Sequence, residues 1–215
     1  MTIKIDYVSD IACPWCAVGL GGLEIALKNI GDEIPVEIHF QPFELNPDMP
    51  PGGQEVFEHL TQKYGKTKDQ VRVTQDSIKA RAAEVGFPFH PEGRKHVYNT
   101  FDAHRLLHWA EEEGEGRQLA LKDALFKAYF TDGDSPGSHD VLARVAGEVG
   151  LDVARAKAIL ASDEYADAVR EREQFYLQQG IHSVPAIIIN DKHLISGGQP
   201  AEVFEQALRQ IAAAG

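Results

Sequence analysis

The chain has 215 residues, 43% apolar and 25% charged, which is enough to bury a sizeable core as one large domain or as a domain with an insertion. Its 21 basic and 33 acidic residues give a formal net charge of −12, so phosphate backbones and anionic membranes are poor partners and nucleic-acid binding is not expected. Charge breaks Met1-Thr2-Ile3-Lys4-Ile5-Asp6 too early for a signal-peptide core, and no stretch approaches a membrane span, so a cytoplasmic location without a membrane partner is expected.

Ile3 to Val8 alternates like a strand, and Ala17 to Leu27 carries apolar residues at helical intervals. Between them lies Cys13-Pro14-Trp15-Cys16, which holds the only two cysteines of the chain. Pro35 to Phe40 alternates again, so residues 3 to 41 read as a βαβ unit whose crossover helix makes the strands parallel. The turn-rich run Asn46 to Gly53 marks a segment boundary, and the pattern beyond it is helical for more than a hundred residues. Helices are expected from a Thr67/Gln70 capping box to about Gly86, over Asn99–Glu113, over about Arg117–Phe130, over about His139–Val149, after an Asp152 cap, and over Asp163–Gln179. The period then returns to two. Pro185 to Asn190 reads as a buried strand, Asp191-Lys192 as a hairpin turn, His193 to Ser196 as its partner, and Pro200 opens a last amphipathic helix. Both ends of the chain thus form one α/β unit around a helical insertion.

At this junction Cys13 lies at a helix N-terminus, where unpaired N–H groups and the positive end of the macrodipole favour a thiolate. Cys16, one turn further in and on the same face, is placed to attack a mixed disulfide formed at Cys13. That is the arrangement of a dithiol redox catalyst. Zinc would need two more ligands, and His104 with His108 lie some ninety residues away, far from finger spacing, so no metal is expected. A structural disulfide across so short a loop would constrain the unfolded chain little, while two incidental core cysteines remain an alternative.

The Cys-x-x-Cys at a helix start, the βαβ unit, the Val184-Pro185 pair before a hairpin and the closing helix together resemble the thioredoxin superfamily, and the helical insertion resembles its DsbA-like group. Phe40 to Pro47, Asn99 to Leu106 and Ile195 to Pro200 are similar to the cytoplasmic FrnE-like oxidoreductases. The resemblance implies a thioredoxin fold with a large all-helical domain inserted between its βαβ and ββα halves, the redox domain being 1–45 and 178–215 and the insert 46–177. It implies Cys13 as attacking thiol, Cys16 as resolving thiol, and Pro185 as a cis-proline facing them, with Val184 offering backbone groups to an extended substrate. Trp15 stands where DsbA-type oxidants usually carry histidine, so a less oxidising disulfide is expected. At a glutaredoxin-like potential, about −200 to −230 mV, the cytosol would hold most of it reduced. Phe43 and Trp15 are weaker candidates for an apolar rim for unfolded chains, set against the core role more usual for an aromatic after a strand. His104 and Arg105 are weaker candidates, set against structural roles, for lining the groove and binding a substrate carboxylate or glutathione.

The expected activity is thiol–disulfide exchange, reducing, forming or isomerising disulfides of proteins or small thiols. An unidentified electron partner would be needed, with no tightly bound cofactor and glutathione as a candidate co-substrate. The alternative is a glutathione-dependent isomerase or transferase of the 2-hydroxychromene-2-carboxylate isomerase or kappa glutathione transferase type. Those relatives generally place serine at the first motif position, whereas both cysteines are present here.

Overall fold

The computed structural model describes residues 2–214. A four-stranded sheet is built from β1 (Ile3–Ser9), β2 (Val36–Pro42), β5 (Ala186–Ile189) and β6 (His193–Ser196), in the order β2-β1-β5-β6. The β1/β2 pair is parallel, with Tyr7 opposite Phe40, and β5 runs antiparallel to both β1 and β6, with Tyr7 opposite Ile187. Strand β1 has covered faces and buries Ile5, Tyr7 and Val8 completely, which is why its run of apolar residues is nearly continuous. Helix α1 (Pro14–Ile30) crosses from β1 to β2 and packs against α9 (Ala201–Ala214). Gly19 sits where α1 lies close against the Tyr7 side chain of β1. A methyl group there would stand 2.7 Å from the Tyr7 hydroxyl, which donates to Cys16 O at 2.8 Å.

Between β2 and β5 the regular structure is mostly helical. A short ribbon of β3 (Gln54–Glu55) and β4 (His96–Val97) brackets α2 (Val56–Tyr64) and α3 (Lys68–Glu84). Then follow α4 (Phe101–Glu112), α5 (Arg117–Phe126), α6 (His139–Glu148), α7 (Val153–Leu160) and α8 (Ala166–Gln178). The Thr67/Gln70 capping box forms as expected. Helix α2 was not separately legible, because Val56 is its only buried residue and Phe57 and Leu60 are half-covered. The helix expected to end at Phe130 stops at Phe126 and widens into a π-helical segment, Lys127–Asp132. That widening lets Tyr129 and Phe130 both turn inward, and Phe130 stacks on Phe89 at 4.9 Å between ring centroids. The hairpin turn falls one residue earlier than expected, since Asn190 and Asp191 carry the positive φ angles, 51° and 55°, and Lys192 N bonds Ile189 O at 3.1 Å.

One hydrophobic cluster runs from β1 and α1 through α4, α5 and α6 without a break, so sheet and helices share a core. Gln118 of α5 seals the seam. Its Oε1 accepts from Phe40 N at 2.8 Å and its Nε2 donates to Phe40 O at 3.1 Å, pairing the outer edge of β2 with a side chain instead of a further strand.

Candidate active site

The turn from β1 into α1 is shaped by Asp10. Cys13 N bonds Asp10 O at 3.1 Å, and Asp10 Oδ1 accepts from Ala12 N at 3.1 Å and from Thr100 Oγ1 at 2.7 Å. Its Oδ2 accepts from Leu45 N at 2.7 Å, so a single buried carboxylate ties this turn to the end of β2 and to the start of α4. Burial opposes that charge. His104, whose Nε2 stands 3.5 Å from Oδ1, together with Thr100 and Leu45 N, outweighs burial and holds the Asp10 carboxyl below its ordinary range.

Cys13 is the N-cap residue of α1, with extended backbone (φ −94°, ψ 109°), and Pro14 occupies the first turn, where its missing N–H leaves nothing unpaired. Cys13 is 4% exposed and borders a cavity of about 610 Å³, whereas Cys16 is fully buried. Burial first, and the neighbouring Cys13 second, push the Cys16 thiol well above its ordinary pKa. Cys13 Sγ lies 3.7 Å from Val184 O, and the peptide bond between Val184 and Pro185 is cis. Pro185 O accepts from Gly197 N at 2.8 Å.

The cavity lies between this junction and the α2/α3 pair. Trp15, Phe43 and Val184 line it beside Cys13, and Val71, Ile78 and Phe130 line it from the insertion. Phe43 is also packed, its ring resting with Val8, Tyr176, Ile181 and Ala186. His104 and Arg105 do not line this groove, which corrects the expectation for both. His104 is 2% exposed and faces Asp10. Arg105 is 4% exposed, with Nη1 on Asp102 Oδ1 at 2.8 Å, Nε on Glu164 O at 2.8 Å, and Nη2 on Ile159 O and Ser162 O. Three of these bonds fasten α4 to the end of α7 and the α7–α8 turn and the fourth stays on α4, so at most one Nη1–H of the five donors is uncommitted, and Arg105 does not line the groove.

Two basic groups near the cysteines were missed. Lys122 of α5 is completely buried, its Nζ has no hydrogen-bond partner among the described residues, and it lies over the rings of Phe40 and Phe126 at 5.6 and 5.0 Å. Burial brings its pKa down to about 8, against the opposing pull of Cys16 and Asp10. The signal available was spacing, since Lys122 falls four residues before Phe126 and four after Gln118 on the buried face of α5. The other is Arg94, whose Nη1 donates to Ala12 O at 2.6 Å, one residue before Cys13.

The family model for the DSBA-like thioredoxin domain matches residues 4–209. A Bacillus subtilis protein, the uncharacterized protein YwbO, is 32% identical over 210 residues, covering 97% of this chain and 96% of its own. The crystal structure of a probable DsbA oxidoreductase from Streptomyces coelicolor superposes with a TM-score of 0.90 at 39% identity, over 98% of this chain and 90% of that one. The cytosolic disulfide reductase DsbM from Pseudomonas aeruginosa, in a structure with GSH, gives a TM-score of 0.66 at 17% identity, over 98% and 99% of the two chains.

Proposed function

The chain belongs to the DSBA-like thioredoxin domain family of oxidoreductases, and we propose that Cys13 and Cys16 form a dithiol/disulfide centre that exchanges with disulfides of protein or small-thiol substrates. In the reducing direction the Cys13 thiolate attacks one sulfur of the substrate disulfide. The substrate S–S bond breaks, its other sulfur leaves as a thiolate, and a mixed disulfide joins Cys13 to the substrate. Cys16 then attacks Cys13 Sγ, closing the Cys13–Cys16 disulfide and passing its proton to the departing sulfur. Two electrons have moved from the protein to the substrate, and isomerisation or oxidation runs the same steps in other orders. The carrying observation is the asymmetry of the pair: Cys13 borders the cavity at the helix N-terminus, while Cys16 lies buried one turn deeper.

Pro185 and Val184 would hold an extended substrate beside Cys13, with Trp15 and Phe43 as its apolar contacts. Residues 1–45 and 178–215 would be the redox domain and 46–177 the insert that walls the cavity. Among the described residues no helix is long and apolar enough to cross a membrane. We place the protein in the cytoplasm, where an unidentified electron partner, with glutathione as one candidate, would keep it reduced.

Reduction of insulin disulfides in dithiothreitol tests this reading. The wild-type protein is expected to accelerate the reaction, and Cys13→Ser to return it to the uncatalysed rate. Unchanged turnover by a protein lacking both cysteines would remove the redox reading and leave the isomerase or transferase alternative.

A further inference from the structure

The cavity above Cys13 is positively charged in a protein whose formal net charge is −12. Lys63, Lys66, Lys79 and Arg94 line it, and the sole carboxylate among the described lining residues, Glu44, is bound by Arg170. None of the four cations has a carboxylate within 4.0 Å among the described residues, although acidic groups outnumber basic ones elsewhere on the chain. What holds them is neutral. Lys63 Nζ donates to Leu45 O at 2.6 Å and to Asn46 Oδ1 at 2.7 Å, and Lys79 Nζ donates to Pro91 O at 2.7 Å.

Arg94 is the most firmly built of the four. Nη1 is fixed by Ala12 O and by the Tyr129 hydroxyl at 3.4 Å, and the guanidinium lies 5.8 Å from the ring centres of both Tyr129 and Phe130. Nε and Nη2 make no hydrogen bond within the protein among the described residues, so the pair of donors suited to a forked anion is unspent. The field reaches its neighbours. Burial, and then Lys63 and Arg94, push the His59 imidazole below its ordinary pKa.

We propose that the cavity selects a small anionic disulfide, one carrying carboxylates or phosphates a few bonds from its sulfurs. Arg94 takes an anionic group in its fork, and Lys63, Lys66 and Lys79 neutralise the rest while a substrate sulfur meets Cys13. This rests on the exchange chemistry proposed above and adds the class of substrate. The binding groups take no electrons. The Cys13/Cys16 dithiol supplies two electrons, the substrate S–S bond breaks, and two thiols leave.

The test is the second-order rate at which excess disulfide oxidises the reduced protein, followed by tryptophan fluorescence, so that no recycling reductant is needed. The probes are oxidised glutathione for carboxylates, coenzyme A disulfide for phosphates, esterified oxidised glutathione as the carboxylate-blocked match, and hydroxyethyl disulfide as the neutral reference. Oxidised glutathione or coenzyme A disulfide is expected to react at least ~10-fold faster than the blocked and neutral probes, an advantage that shrinks with added salt. Arg94→Gln, and separately the double variant Lys63→Gln/Lys66→Gln, should lose that advantage and keep their rate with hydroxyethyl disulfide within about twofold. The second variant guards against any shift of Ala12 in the first. Which anion leads separates the carboxylate from the phosphate source. Equal rates for charged and blocked probes, or a preference that survives in both variants, would overturn the proposal while leaving the exchange chemistry standing. Oxidation by none of the four, with insulin reduction intact, points to a protein substrate and also overturns it, whereas failure with insulin as well would bring down both readings.

Discussion

The two sides of the first turn of α1 differ in almost every physical respect. On the cavity side Cys13 borders a cluster of cations that have no carboxylate within 4.0 Å among the described residues, while on the packed side Cys16 has no exposure, its carbonyl accepts from the Tyr7 hydroxyl, and its thiol feels the Asp10 backbone and the Lys122 charge. Burial penalises the charged form of a thiol, so the deeper sulfur is held as a thiol until it is needed. A three-residue spacing supplies two sulfurs, and it is the tertiary surroundings that divide their work.

The sharpest way to break this comparison is to remove the packed-side sulfur. Cys16→Ser should still attack substrate disulfides through Cys13 but stall as a mixed disulfide, with turnover falling on the order of 10²-fold or more because resolution must come from solution thiols. Mass spectrometry of the trapped adduct checks it. On the wild-type reduced protein, iodoacetamide should label Cys13 first, and preferential labelling of Cys16 would reverse the assignment.

Lys122 tests what the packed side does beyond exclusion. Its ammonium is the positive group that favours a Cys16 thiolate, so Lys122→Met should slow the resolving step by about 10-fold near neutral pH and move its rise with pH upward. The sign follows from the shifts. The Cys16 pKa is already raised, and removing the one named cation raises it further, so a smaller fraction is reactive at any pH below it. Stopped-flow decay of a preformed mixed disulfide would read this. Methionine keeps the packing on Phe40 and Phe126 and removes an unpaired buried charge, so thermal stability should hold or increase while the rate falls. A purely structural lysine would show the opposite pattern.

How much of this was legible in sequence depends on whether the signal is local. The Cys-x-x-Cys at a strand–helix junction, the Thr67/Gln70 cap and the two β patterns are short-range features, and they appear in the structure close to where the residues place them. The roles of the arginines were not legible, for the opposite reason. Arg105 stands in an eye-catching run on α4 and Arg94 in a loop, yet Arg105 gives its donors to Asp102 and to carbonyls near residues 159–164, while Arg94 keeps an open edge at the cavity. Whether a guanidinium is available is decided largely by partners distant in sequence, Ile159, Ser162 and Glu164 for Arg105 and Ala12 for Arg94, and no spacing rule encodes that. Lys122 lies between these cases, since the apolar face of α5 marked its position but not its lack of a partner.

The smallest expected effect lies at the outer end of the packed side, where Asp123 of α5 faces Glu24 of α1. Burial first, and then the Glu24 carboxylate, push the Asp123 pKa up to about 8, while Asp123 in turn donates to Glu24, so one proton serves the two groups. In the unfolded chain Asp123 ionises near its ordinary value of 3.8. Below that pH both states hold the proton and the site costs nothing. As pH rises toward 8 the unfolded chain releases the proton while the folded chain retains it, so stability is lost progressively across that window and the loss levels off above it. Asp123→Asn keeps the shape and the donor to Glu24 but has no proton to lose. It should match wild type near pH 4 and exceed it by about 1–2 kcal/mol near pH 8, a figure set well below the full shift because solvent reaches the pair. Urea melts at several pH values read the difference, and insulin reduction should be unchanged. A stability gap of the same size at pH 4 and pH 8 would show that the pair does not share a proton.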